Sequence, residues 1–201
     1  MSENAVLAAT TISSVIDWGV CDFVVCAGAR NVPLIVDLEA REGLNLWHHF
    51  DERAAAFFAL GLTKKNLRPV AVVTTSGTAV AEMLPAVVEA FYSGLPLICV
   101  TADRPRRFRG TGAPQSIEQV GIFSTYAQCG DFEKVAELPE MLNWNQASPL
   151  HLNLCFEEPK PEPATAASPI MSSHDPQPPE DYGFNITLVS SQETIQLGVL
   201  R

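Results

Sequence analysis

Short apolar segments alternate with longer amphipathic segments along the first 155 residues of this chain. The apolar runs typical of strands cover residues 23–26, 44–50, 70–74, 97–101 and 150–154. Helical spacing is found over residues 4–18, 33–40, from Asp51 onward and 77–92. Short strands separated by helices are typical of βαβ units. The pattern predicts an α/β fold: a doubly wound, mainly parallel sheet with helices on both faces.

The composition changes after Phe156 and predicts three regions. Seven of the fifteen prolines lie between Pro159 and Pro179, which indicates an extended linker. We expect a folded domain over residues 1–158, a proline-rich linker over 159–182, and the start of a truncated following domain over 183–201.

Charge and cysteine content narrow the functional class. The formal net charge is −10, which argues against a nucleic-acid or anionic-membrane partner. No apolar run approaches the roughly 20 residues that a membrane span needs. The five cysteines include no C-x-x-C pair, which is typical of reduced thiols in a cytoplasmic protein.

Candidate chemistry lies in the loops after the predicted strands, because ligands of parallel sheets bind at the carboxyl ends of the strands. Arg30 follows the first strand near a helix start, where it suits a carboxylate or phosphate, or is a surface arginine at a turn. Asp51 and Glu52 follow the second strand. They are candidates for proton transfer, or they simply cap the next helix.

The next two strands end in loops of different character. Ser76, Gly77 and Thr78 form a small, hydroxyl-rich turn that allows close approach of a flat ligand, or that caps a helix. Arg104 opens a segment with four arginines within six residues, which favours an anionic ligand over a solvated loop. The sequence has neither a Walker-type phosphate loop nor a G-x-G-x-x-G dinucleotide fingerprint.

Five segments together resemble a known family. They are CAGARNVPL, HFDERAAAFFALGL, VTTSGTAVAEMLPAVVEA, TADRPRRFRGTGAPQSIEQVGIF and HLNLCFEEP. In this order they resemble the N-terminal pyrimidine-binding (PYR) domain of thiamine-diphosphate-dependent enzymes. Within that superfamily the chain is most similar to the 2-succinyl-5-enolpyruvyl-6-hydroxy-3-cyclohexene-1-carboxylate synthases of menaquinone biosynthesis.

The resemblance implies roles for seven residues. Glu52 would be the catalytic glutamate, which hydrogen-bonds the pyrimidine ring of the cofactor and promotes its imino tautomer. Ser76, Gly77 and Thr78 would lie beside that ring. The implied substrate-binding residues are Arg30, Arg104 and Gln115.

The implied activity is a transferase reaction on two dicarboxylates. These enzymes decarboxylate 2-oxoglutarate and add the succinyl-semialdehyde carbanion to isochorismate. The implied cofactors are thiamine diphosphate and Mg²⁺, and we assign no metal ligand in this chain because the diphosphate- and metal-binding domain is absent from it. The resemblance also implies a homo-oligomer with the cofactor at the subunit interface, so we expect the chain alone to be inactive.

Four positions depart from the family pattern and keep alternatives open. Ala29 and Asn31 replace hydroxyl residues, Pro114 replaces an amide residue, and Glu82 stands where asparagine is frequent. A different thiamine-diphosphate enzyme, of the 2-oxoacid decarboxylase or acetolactate-synthase type, is one alternative. The other is a non-catalytic, stand-alone PYR-like binding subunit.

Overall fold

The fold was analysed in a computed structural model, which describes residues 2–138 and 144–158. The chain divides into two units, Met1–Lys160 and Pro161–Arg201, and the described residues all belong to the first. The predicted linker over 159–182 and the predicted domain start over 183–201 lie outside the described residues.

Helices and strands alternate as the hydrophobic pattern predicts. The helices are α1 (Glu3–Asp17), α2 (Val32–Glu39), α3 (Glu52–Asn66), α4 (Thr78–Ala81) and α5 (Leu84–Tyr92). The strands are β1 (Asp22–Cys26), β2 (Asn45–His49), β3 (Val70–Thr74), β4 (Leu97–Asp103), β5 (Gln128–Phe132) and β6 (Leu150–Cys155). Among the described helices, none has both the length and the apolar character of a membrane span.

The six strands form one parallel sheet in the order β2-β1-β3-β4-β6-β5. Alternate residues of the central strands point to opposite faces, so that Phe23 and Val25 belong to one apolar core and Val24 to the other. Helices α1 and α2 cover the first core, and α3 and α5 cover the second. The predicted doubly wound fold is confirmed.

Two elements differ from the expectation. The single helix predicted over residues 77–92 is two helices, because Pro85 has no N–H to donate to the carbonyl of Ala81. Strand β5 was not predicted, since its sequence Gln-Cys-Gly-Asp-Phe contains a glycine and an aspartate, which are rare in strands. Among the described strands it pairs only with β6, so it is the outermost strand on that side of the sheet.

Candidate functional site

The strand order creates a switch point between β1 and β3, because the connection after β1 runs to β2 on one side and the connection after β3 runs to β4 on the other. Such switch points leave a crevice at the carboxyl ends of the strands, where ligands bind in open α/β sheets. All seven candidate residues lie at this edge: Arg30 follows β1, Glu52 follows β2, Ser76, Gly77 and Thr78 follow β3, and Arg104 and Gln115 follow β4.

Glu52 is not needed to cap its helix. Asp51 has the extended backbone of an N-cap, and its Oδ1 accepts the N–H of Ala54 at 2.7 Å. The half-buried carboxylate of Glu52 lies 3.5 Å from Thr74 Oγ1, the only hydrogen-bond partner that the described residues offer it. Glu52 therefore has capacity for a ligand.

The acidic pair also acts on the cysteine at the end of β1. Burial, and then the nearby carboxylates of Glu52 and Asp51, raise the pKa of the Cys26 thiol to about 12. Cys26 therefore stays a neutral thiol at physiological pH, and it packs in the core under α3 rather than acting as a nucleophile.

The loops after β3 and β4 are bonded to each other. Ser76 Oγ donates to the carbonyl of Gln115 at 2.9 Å, and Gln115 Nε2 donates to the carbonyl of Ser76 at 2.9 Å. Gln115 has a positive φ of 57°, which is uncommon for a residue with a side chain and is frequent at functional sites. Gly77 has φ 82°, and a Cβ there would come within 2.8 Å of Gln115 Cγ.

Arg30 and Arg104 converge on one carboxylate. Arg30 is buried and donates to the carbonyl of Phe156 at 3.1 Å and to Glu158 Oε2. The Nη1 of Arg104 lies 3.8 Å from the same Glu158 oxygen, and its Nε donates to the carbonyl of Pro114 at 2.9 Å. The side chain of Glu158 is 73% exposed. Two guanidinium groups thus share a carboxylate that solvent can reach.

The position of Asn31, one of the four departures, has a structural role. Its Oδ1 accepts the N–H of Gly28 at 2.8 Å, and its Nδ2 donates to the carbonyl of Cys26 at 2.9 Å. These bonds close the turn that carries Arg30. A Cβ at Gly28 would lie 2.6 Å from Thr75 Cβ, so the turn also packs tightly on the loop after β3.

The side chains at the other three departures, Pro114, Ala29 and Glu82, have no assigned role in this structure. Pro114 contributes its backbone carbonyl to Arg104, which any residue can do. Ala29 and Glu82 are exposed.

Four arginines within six residues suggested an anion-binding loop after β4. The structure corrects this expectation, because the other three arginines are already paired with carboxylates. Arg109 makes a bidentate pair with Asp131 at 2.7 and 2.8 Å, and Arg106 binds Glu137 and Asp131 at 2.9 and 3.0 Å. These carboxylates raise the pKa values of both guanidinium groups. Arg107 pairs with Glu157 at the surface.

Several contributors to this edge were missed in the sequence. Glu158 follows β6 directly, so its place after a strand was a usable signal. Gln119 and Asn153, both buried, gave no local signal, because their partners come from distant parts of the chain. His151 is also buried, bonded to Thr101 at 2.8 Å, and burial lowers its pKa to about 4.

The donor set suits the aminopyrimidine part of thiamine diphosphate. The half-buried carboxylate of Glu52 and the small residues after β3 lie at the same edge of the sheet, which suits a flat heterocycle that exchanges a proton. Within residues 2–138 and 144–158, no group of three or more His, Cys, Asp or Glu side chains could hold a metal ion.

Comparison with known proteins identifies the family. Residues 7–122, more than half of the chain, match the thiamine pyrophosphate enzyme family, N-terminal TPP binding domain. The chain belongs to this family. Thiamine pyrophosphate is thiamine diphosphate, so the predicted cofactor class and the predicted PYR domain are confirmed.

Curated relatives extend the similarity to most of the chain. A 2-succinyl-5-enolpyruvyl-6-hydroxy-3-cyclohexene-1-carboxylate synthase of Akkermansia muciniphila is 51% identical over 85% of this chain and 32% of its own length. The synthase of the same name from Bdellovibrio bacteriovorus is 53% identical over 78% and 30%. That from Geobacillus kaustophilus is 42% identical over 77% and 30%. The chain spans about a third of the length of these relatives.

Proposed function

We propose that this chain is the cofactor-activating and substrate-binding N-terminal part of a 2-succinyl-5-enolpyruvyl-6-hydroxy-3-cyclohexene-1-carboxylate synthase. The supporting observation is the convergence of Glu52, the Ser76–Gln115 contact and the Arg30–Arg104 pair at one edge of the sheet. The names and identities of the relatives support the same proposal.

Glu52, Ser76, Gly77 and Thr78 would hold the pyrimidine part of thiamine diphosphate. When bound, this cofactor supplies the means to stabilise a carbanion formed next to a carbonyl group. Glu52 would exchange a proton with the pyrimidine ring. Its carboxylate has spare hydrogen-bonding capacity at this edge of the sheet, which supports that role.

Arg30 and Arg104 would bind a substrate carboxylate, and Gln115 would orient it. Both proposed substrates, 2-oxoglutarate and isochorismate, are dicarboxylates, and arginine binds a carboxylate through paired N–H groups. The exposed carboxylate of Glu158 on the two arginines supports this role, since a substrate carboxylate could take its place.

The rest of the catalytic machinery is proposed to lie outside this chain. Mg²⁺ and the diphosphate would be held by other parts of the full-length protein, in a cytoplasmic homo-oligomer with the cofactor at a subunit interface. Phe50, fully exposed beside Asp51, supports an interface at this edge.

The test is turnover by the full-length protein with thiamine diphosphate, Mg²⁺, 2-oxoglutarate and isochorismate. We expect release of carbon dioxide and the succinylated product only when both substrates are present. Decarboxylation of monocarboxylic 2-oxoacids with no use of isochorismate would contradict the proposal and favour a different thiamine-diphosphate enzyme.

A further inference from the structure

The long connection between β4 and β5 places one buried amide, Gln119, under the proposed cofactor loop. We infer that Gln119 is a positioning residue. It fixes the backbone of Gly77 for the cofactor and connects Gly77, through hydrogen bonds, to the residues that hold Arg104. The inference rests on the proposed function. Gln119 is 1% exposed, although the residues on both sides of it are exposed.

The orientation of the Gln119 amide follows from its partners. Its Oε1 accepts the N–H of Gly77 at 2.9 Å, and its Nε2 donates to the carbonyl of Ala102 at 2.9 Å and to Asn153 Oδ1 at 2.7 Å. A backbone N–H can only donate and a backbone carbonyl can only accept, so the oxygen must face Gly77. The side chain therefore bridges the loop after β3 to the ends of β4 and β6.

Gly77 needs such a support because its backbone is unusual. With φ 82° and ψ −136° it occupies a conformation that L-residues rarely adopt. Ser76 and Gln115 hold the outer side of this loop through their reciprocal bonds. Gln119 holds the inner side, and Gly77 is itself buried, so its N–H depends on this acceptor.

The same bridge continues to the proposed substrate arginine. Asn153 Nδ2 donates to Asp103 Oδ2 at 3.1 Å, and Asp103 Oδ1 accepts the backbone N–H of Arg104 at 2.7 Å. A continuous series of hydrogen bonds thus links Gly77, through Gln119, to the residue that carries the guanidinium group. Gln119 gives the two halves of the proposed site a common frame.

Substitutions of Gln119 can distinguish an effect on cofactor positioning from an effect on the stability of the fold. Gln119→Met keeps the volume and removes all the hydrogen bonds, whereas Gln119→Glu keeps an acceptor for Gly77 and loses the donors. Gln128→Met is the matched control, since Gln128 is exposed on the edge strand β5. All three are made in the full-length protein.

Two measurements test the inference below the melting temperature of each variant. The Kd for thiamine diphosphate with Mg²⁺ should rise about tenfold in Gln119→Met and at least as much in Gln119→Glu, whose carboxylate would face the acceptor oxygens of Ala102 and Asn153, and should not change in Gln128→Met. In the wild type, the Gly77 amide should exchange hydrogen as slowly as the amides of β3. This second measurement needs no variant, so it tests the inference even if Gln119→Met does not fold.

The outcomes distinguish the two proposals. If the wild type does not bind thiamine diphosphate, the proposed function is wrong whatever Gln119 does. If the wild type binds it and a folded Gln119→Met variant binds it equally well, the positioning role is wrong. Rapid exchange of the Gly77 amide in the wild type would also overturn it.

Discussion

Two groups of arginines lie at the same edge of the sheet and differ in how fully they are paired. We call Arg106 and Arg109 the packed group and Arg30 and Arg104 the open pair. The packed group is bonded to several carboxylates at 2.7–3.2 Å, from β4, β5 and the segment after β5. The open pair shares one carboxylate, that of Glu158, which is 73% exposed.

The difference shows that the number of arginines does not locate an anion site. A guanidinium group whose donors already meet two carboxylates stabilises the fold and has little to offer a ligand. One that meets a single exposed carboxylate can exchange it for another. Pairing therefore favours a structural role for the packed group and supports the recognition role proposed for the open pair.

The largest effect that separates the two groups is expected for Arg109→Met. It leaves the almost fully buried Asp103 without a guanidinium partner and removes the bidentate pair with Asp131, which keeps its bond to Arg106. The free energy of unfolding should fall by about 3 kcal/mol in urea titrations. Arg107→Met removes an exposed pair with Glu157 and should lower the free energy of unfolding far less. Equal losses in the two variants would contradict the packed group's role.

The opposite pattern is expected for Arg104→Met in the full-length protein. Loss of a charge-assisted contact should raise the activation free energy by about 2 kcal/mol, which lowers kcat/KM for the proposed dicarboxylate substrate nearly thirtyfold. The Kd of thiamine diphosphate should hardly change, because Arg104 is assigned to the substrate. A variant that lost cofactor binding and kept its substrate KM would reverse the assignment.

Acid should weaken the packed group through Asp131. Burial opposes the charge of this carboxyl, but hydrogen bonds from Arg109 and Asn153 outweigh burial and lower its pKa to about 2 from 3.8. Its contribution is complete above pH 3.8 and is lost as the pH falls through the folded-state pKa. We expect a loss on the order of 2 kcal/mol in unfolding free energy over this interval.

The Arg109→Met variant is the control for that titration. Asp131 has then lost the partner that most lowers its pKa, so the variant should lose less stability over the same pH interval. An identical slope in variant and wild type would show that Asp131 is not the group involved.

The sequence predicted the position of the open pair but not its partner. Arg30, Glu52 and Arg104 were found because each follows a strand, and the ends of parallel strands meet at one edge. Glu158, the carboxylate that the two arginines share, lies 128 residues from Arg30 along the chain. Pairing over such separations depends on the strand order, which hydrophobic periodicity does not specify.

The packed group was misjudged for the same reason. Arg106 and Arg109 meet Asp131, 25 and 22 residues away, on the edge strand that the pattern did not reveal. Without β5, the four arginines looked unpaired in an acidic chain. Gln119 was missed because a lone glutamine between exposed residues carries no periodic signal.

The smallest effect concerns Glu158 itself. Glu158→Gln removes the intramolecular competitor from Arg30 and Arg104, so the KM of the dicarboxylate substrate should fall about two- to threefold. Because Glu158 is largely exposed, stability should change by less than about 1 kcal/mol. Glu157→Gln is the control and should leave KM unchanged. A raised KM in Glu158→Gln would mean that Glu158 orients the arginines for the substrate.

The central claim is that Glu52 serves the cofactor, and proton exchange at the thiazolium C2 of bound thiamine diphosphate tests it most directly. In the full-length protein, Glu52→Gln should slow this exchange by orders of magnitude while the fold is kept. Asp51→Asn is the matched control: it retains a cap for the Ala54 N–H and should exchange at the wild-type rate. Wild-type exchange in Glu52→Gln, with cofactor bound, would contradict the account.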